Sequence, residues 1–240
     1  AILKELAGPH KKIITAEDPV EMQVPFVNHV QVTEKASFAD LGRCFMRQDA
    51  EVIFLGEIRD TESAIAAQQL AQTGHMVFST LHTRDAVGVI SRLEALGVHT
   101  NFVASTLIGS LAQRLVLGLC QDCKVPDLID TEVLEKMHNI MPIPKGTIIY
   151  KNGEGCSSCR ANINEVETSK GYYGRIPVYE LLVIDEEISD MINNQAKGSE
   201  IVARGQSKGM LTLQQEALIR LYQGIVDLES IRGLLFMPTY

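Results

Sequence analysis

Three stretches that end in ionisable groups, and four cysteines, carry most of the chemistry in this 240-residue chain. In "QDAEVIFLGEIRD", residues 48–60, four consecutive apolar residues lead straight into Gly56 and Glu57. In "KKIITAEDPVE" a second apolar run ends at Glu17 and Asp18, with Glu21 just past Pro19. In "HMVFSTLHT" a third run ends in Ser79, Thr80, His82 and Thr83, with His75 at its start. Carboxylates beside a Ser-Thr-x-His segment suit Mg²⁺–nucleotide work. One carboxylate can hold the metal directly or through water, another can orient the attacking water, and a histidine can report the γ-phosphate. Each group also has a plainer use: strand-end acids cap helices, a lone histidine is more often simply hydrogen-bonded, and Thr83 can cap the next helix.

The elements that must position these groups follow from hydrophobic pattern. A run such as Val52–Leu55 has no helical period and reads as a short strand buried on both faces. Ile13–Ala16 reads the same way and should stop at Pro19, which cannot donate to a ladder. "VNHVQV" alternates as an edge strand does. Ser37 with Asp40 three residues on predicts an N-cap for a helix that turns Leu41, Phe45 and Met46 inward, with Arg43 and Arg47 on one face. "DTESAIAAQQLAQTG" predicts a helix capped by Asp60 or Thr61 and terminated at Gly74. Further helices are expected over 84–96 and 100–117, and the pattern is again helical from Asp185 onward. Strands alternating with helices imply a mostly parallel α/β sheet, on which successive strand ends are neighbours in space. In such sheets ligands gather at the carboxyl ends of the strands.

Cys120-x-x-Cys123 and Cys156-x-x-Cys159 supply four thiolates, enough for a closed tetrahedral zinc site of structural type. The 32-residue spacer is longer than in common zinc ribbons. Iron–sulfur ligation, a redox dithiol and plain buried cysteines are the alternatives. Cys44, alone on its helix, is expected in the core. Paired cysteines without a disulfide scaffold indicate a reducing compartment, and the chain reads as cytosolic. A net charge of −8 argues against a broad electrostatic grip on nucleic acid. With 45% apolar residues the composition is globular, and no apolar run is long enough to cross a bilayer. The start, "AILKELAGPHKK", has none of the signal-peptide features.

Taken together, "ITAEDPVE", "RQDAEVIFLGEIRD", "TGHMVFSTLHTRDA", "LAQRL", the paired cysteines and "GYYGRIPVYELL" resemble successive motifs of the secretion ATPases that drive type II secretion and type IV pilus assembly. The resemblance implies a hexameric, RecA-like cytoplasmic motor at the inner membrane, hydrolysing ATP with Mg²⁺ and acting on a platform protein and a cytoplasmic adaptor, with no direct nucleic-acid binding. It casts the three stretches as the Asp box, the Walker B-like segment and the His box. Carried over by position, it assigns Glu21 to the attacking water, Glu57 to the metal side, and His82 to catalysis. It places Glu17, Asp18 and His75 at the nucleotide or Mg²⁺. Arg43, Arg47, Arg59 and Arg114 would contact phosphate or a neighbouring subunit, with surface ion pairs as the alternative for each.

Departures from the family pattern set further expectations. No G-x-x-x-x-G-K-[ST] phosphate loop occurs in the sequence. The family carries it shortly before the Asp box, so the chain is expected to start inside the helix that this loop opens, and to bind and hydrolyse ATP poorly alone. The family's N-terminal docking domain is expected to be absent from this stretch as well. Ala50 stands where a proline is usual, and Arg84 where an asparagine often follows the threonine. The expected organisation is a RecA-like segment over 1–118, a tetracysteine subdomain over 119–175, and a mainly helical part over 176–240. Four cysteines favour an assembly or secretion motor over a retraction motor. The rival readings are a DNA-uptake or conjugative-pilus motor, and a zinc-bearing interaction module with no enzymatic role.

Overall fold

Apolar runs become strands where they were expected, and polar caps start the helices between them. The computed structural model describes residues 2–160 and 170–237. A short helix, α1 (Ile2–Leu6), precedes β1 (Ile13–Glu17) and β2 (Val27–Gln31). Helix α2 (Phe38–Phe45), β3 (Val52–Leu55), helix α3 (Thr61–Gln72) and β4 (Met76–Ser79) follow. The four strands form one sheet in the order β2-β1-β3-β4, and every pairing is parallel. Ala16 therefore lies opposite Leu55, and Leu55 opposite Ser79. This register brings the segments that leave β1, β3 and β4 to one edge.

The helices of this layer are fixed by capping boxes. The Ser37 side chain accepts from the Asp40 N–H and the Asp40 carboxylate accepts from the Ser37 N–H, which satisfies two orphan donors of α2. Asp60 and Ser63 do the same for α3. Ile13, Ala16, Ile53, Leu55 and Leu70 are fully buried and form the heart of the core. Two short helices, α4 (Gly88–Ala95) and α5 (Thr100–Thr106), complete this stretch.

The rest of the chain comprises β5 (Gly109–Leu119), β6 (Val125–Pro126), α6 (Thr131–Ile140), β7 (Tyr150–Lys151), α7 (Ser157–Arg160) and β8 (Tyr172–Val183). It ends in helices α8 (Glu186–Asn193), α9 (Gly198–Ser207), α10 (Leu213–Tyr222) and α11 (Leu228–Leu235). Two compact units result. The first holds the chain up to Ser110 together with Val183–Ile201, and the second holds Leu111–Leu182 with the chain from Val202 onward. Within the first, α8 packs on α5, where the Ser189 hydroxyl donates to the Ala104 carbonyl at 2.7 Å. Within the second, the Tyr172 hydroxyl donates to Asp227 Oδ2 at 2.5 Å. The other oxygen of Asp227 caps α11 by accepting from the Ser230 N–H.

Two expectations fail. The helix expected over 100–117 ends at Thr106, and Gly109–Leu119 is a strand that pairs with β8. Leu107, Leu111 and Leu115 recur at helical spacing, but the side buried by β5 is that of Ser110, Ala112, Val116 and Gly118, while Leu111 and Leu115 face outward. Close approach of β8 explains the small residues: a Cβ on Gly118 would come within 2.9 Å of the Ile176 side chain and 3.0 Å of the Tyr173 carbonyl. Cys44 is exposed rather than in the core, because the buried residues of α2 are Ala39, Gly42 and Phe45.

Gly56 shows how tightly the site-bearing edge is built. A Cβ there would stand 3.0 Å from the Ala16 carbonyl oxygen and 3.2 Å from the Phe38 ring. Gly56→Ala is expected to destabilise the fold by about 1–3 kcal/mol through overpacking against backbone. Urea unfolding measures this, and an unchanged midpoint would contradict the packing described.

Candidate functional site

Glu57 is held from both sides. The Gly56 N–H donates to the Ala16 carbonyl at 2.8 Å, the Thr80 hydroxyl donates to the Gly56 carbonyl at 2.7 Å, and the Ile58 N–H donates to the Thr80 carbonyl at 2.9 Å. These bonds tie the ends of β1, β3 and β4 together around one carboxylate. Glu57 Oε1 is paired with Arg59 Nη2, and His82 Nε2 lies 3.5 Å from Glu57 Oε2. The Glu57 side chain is 16% exposed, Arg59 58% and His82 88%, so the acid is sheltered while its partners can swing away. Arg59 holds the Glu57 carboxyl below the usual range against the opposing effect of burial. The Arg59 guanidinium is raised in turn, chiefly by Glu57 and further by the charges of Asp18 and Asp60. Glu57, Arg59 and His82 are thus one paired group at the carboxyl edge of the sheet, on which the charges of Asp18 and Asp60 also act.

Glu17 and Glu21 take different positions. Glu17 closes β1 and spends its Oε1 inside the protein, accepting from the Thr15 hydroxyl at 2.6 Å and meeting His29 Nδ1 at 2.7 Å. Glu21 stands exposed on the connection from β1 to β2, beyond Asp18 and Pro19. Thr15 and His29 were not singled out in the sequence. The signal was present in the alternation of "VNHVQV", which turns His29 to the same side as Val27 and Gln31.

Of the remaining candidates in the first unit, His75, Arg43 and Arg47 are not brought to this edge. His75 precedes β4, so a full strand of four residues, about 13 Å long, separates it from Thr80. Its Nδ1 lies 3.0 Å from both the Leu70 carbonyl and the Thr73 hydroxyl, at the end of α3. Arg43 is exposed on α2 and pairs with Asp40 at 2.7 Å. The Ser37 hydrogen bonds first, and Arg43 next, hold the Asp40 carboxyl down to about 2. Arg47 is exposed in the turn that enters β3 at its amino end. Arg114 lies on β5 in the second unit, where its Nη1 donates to the Gln113 carbonyl at 2.8 Å.

In the second unit the four cysteines converge. The Sγ atoms of Cys120, Cys123, Cys156 and Cys159 all lie within 4.8 Å of one another. Cys120–Cys156, Cys123–Cys159 and Cys156–Cys159 are separated by 3.7, 4.0 and 3.9 Å. A tetrahedron of thiolates at about 2.3 Å from a central ion has edges of about 3.8 Å, so the donor set fits a four-sulfur metal site. Backbone N–H groups of Cys159 and Ser158 at the start of α7 bring Cys156 down to about 7, while burial pushes Cys123 up to about 12.

A parallel α/β sheet whose Gly-Glu strand end lies beside a Ser-Thr-x-His segment gathers polar groups where open α/β sheets bind ligands. The chain belongs to the family described as Type II/IV secretion system protein, whose model matches residues 1–233. Among curated relatives it is 41% identical over 233 residues to the type IV pilus assembly ATPase PilB of Thermus thermophilus, covering 96% of this chain and 25% of that protein. It is 36% identical over 231 residues to the type II secretion system ATPase E of Vibrio cholerae, covering 95% of this chain and 44% of that protein. The chain thus spans less than half the length of these relatives. Among solved structures it resembles the pilus retraction motor PilT with bound ADP, at a TM-score of 0.67 and 26% identity, over 97% of this chain and 55% of that one. The Legionella pneumophila ATPase DotB shares the fold, at a TM-score of 0.62 and 21% identity. Among the described residues no helix is long and apolar enough to cross a membrane.

Proposed function

We propose that this chain is the motor segment of an ATPase that powers type IV pilus assembly or type II protein secretion. The observation that carries the reading is the convergence of Glu57, Arg59 and His82 at the carboxyl edge of a parallel sheet. Sequence relatives named as pilus assembly and secretion ATPases support it.

Asp18 and Glu57 are hard oxygen donors of the type Mg²⁺ prefers. Held there, Mg²⁺ would neutralise charge on the phosphates. Glu57, already ionised, takes the metal side. Arg59 and His82 leave its carboxylate to meet the phosphates, and Glu21 on its exposed loop orients the attacking water. Arg43, Arg47 and Arg114 are assigned to contacts between subunits of a hexamer at the cytoplasmic face of the inner membrane. A platform protein and an adaptor are the partners there. The cysteines hold a structural zinc.

The sequence contains no G-x-x-x-x-G-K-[ST] loop to cradle phosphate. Phosphate release from ATP is therefore expected to be negligible for the 240-residue chain and clear for a version carrying such a segment ahead of Ala1. No release by either form would overturn the motor reading and leave a zinc-bearing interaction module.

A further inference from the structure

The loop that carries Glu21 is fastened to the sheet by a histidine that no catalytic assignment uses. His29 sits on β2 directly opposite Thr15 of β1, and the pleat puts Thr15 and Glu17 on one face. His29 Nδ1 lies 2.7 Å from Glu17 Oε1 and 3.1 Å from the Thr15 hydroxyl, which itself donates to the same carboxylate oxygen. On the other side of the ring, the Val24 N–H donates to His29 Nε2 at 3.0 Å. Thr15 is fully buried, and the side chains of His29 and Glu17 are 8% and 12% exposed.

Hydrogen-bond accounting leaves one protonation state. Nε2 receives a backbone N–H, so it must offer a lone pair. An imidazolium would set two donors against each other at Val24. The Nε2–H tautomer would do the same, and would also leave two acceptors facing each other at Glu17. A protonated Glu17 donating to Nδ1 would require an imidazole with no proton at all. The ring is therefore neutral with its proton on Nδ1, given to Glu17.

We propose that His29 is a positioning residue: bridging the Glu17 carboxylate and the Val24 backbone amide, it fixes the 18–26 loop and so the place of Glu21. Glu17 then acts as the inner anchor of this chain of bonds, rather than as a ligand to Mg²⁺. The loop needs such an anchor because it has no regular structure of its own, and Phe26 at its far end is held at φ +66°. That left-handed conformation is unfavourable for a bulky residue. The role in turnover rests on the motor reading, but the hold on the loop does not.

The test uses the 240-residue chain and its His29→Ala and His29→Gln variants. Imidazole ¹⁵N spectra at neutral pH should show His29 as the neutral Nδ1–H form; an Nε2–H or doubly protonated ring overturns the proposal. Glutamine can give its amide N–H to Glu17 and accept from Val24, so it should preserve the anchor. Amide exchange at Val24 should accelerate roughly three- to tenfold in His29→Ala, the change expected for one lost hydrogen bond. It should stay near wild type in His29→Gln, with Ile14 and Ala16 unchanged in both. Equal Val24 exchange in wild type and His29→Ala overturns the proposal. In the version bearing a phosphate loop, His29→Ala should lower kcat about tenfold at nearly unchanged KM, with rescue by glutamine. An unchanged kcat in His29→Ala removes the role in turnover. Absence of turnover in the wild type would instead defeat the motor reading, and the spectra and exchange would still decide whether His29 holds the loop.

Discussion

Glu57→Gln is expected to lower ATP turnover by about 10²- to 10⁴-fold in the version that carries a phosphate loop, the range typical of losing a positioned acid–base or metal-side carboxylate. Glutamine keeps the length and shape of the side chain, and the bonds that fix its backbone come from Thr80 and Ala16 rather than from the carboxylate. The fold should therefore be undisturbed, and nucleotide affinity, read with a fluorescent ATP analogue, should be retained. What changes is the charge. Arg59 loses its carboxylate partner, and the site loses the anion that faces the metal. Wild-type turnover in the variant would remove Glu57 from the mechanism. Loss of nucleotide binding along with turnover would place Glu57 in substrate retention instead of the chemical step.

Much of this edge could be read from the chain because its strands are short, apolar and buried on both faces. A run such as "VIFL" admits few other readings, and the residue after it is fixed at a strand end. The cap of α2 was equally legible, since Ser37 and Asp40 are local in sequence, and the start of α3 was narrowed to Asp60 or Thr61, of which Asp60 is the cap. What was not legible depends on partners distant in the chain. β5 hides its strand character because β8, more than 50 residues later, supplies the surface that its small residues fit. His75 sits next to the same apolar run as His82, yet it precedes β4 instead of following it, and a parallel strand sends its two ends to opposite edges. Glu17 and Asp18 are adjacent letters with opposite fates. The strand pleat turns Glu17 toward His29, while Asp18 lies just past the strand, where its charge acts on Arg59. No local pattern announces that division, because His29 reaches Glu17 only through the register of β1 on β2.

Stripping metal from the four-cysteine site is expected to unfold its surroundings before the four-stranded sheet. Structural zinc in small modules contributes apparent free energies of about 10–16 kcal/mol, comparable to the whole stability of an ordinary domain. The strands beside the site are short: β6 and β7 are two residues each. The cysteine knuckle is also what joins them to the helices of the same unit. The Leu119 N–H donates to the Ile225 carbonyl, the Gln121 side chain and Lys124 Nζ both donate to the Gly224 carbonyl, and the Cys120 N–H donates to the Gly171 carbonyl. Four thiols gathered within 4.8 Å lose the reason for their arrangement once no cation balances them, because thiolates repel and buried thiols pack poorly as donors. Freshly reduced protein should contain one zinc per chain by elemental analysis. A chelator should speed amide exchange at Cys120, Lys124 and Asp127 well before it does so at Ile14 or Val52, and Cys120→Ser should reproduce that order without chelator. Protein that is fully reduced yet holds no stoichiometric metal, or that exchanges identically with and without chelator, would show that the cysteines are held together by packing alone.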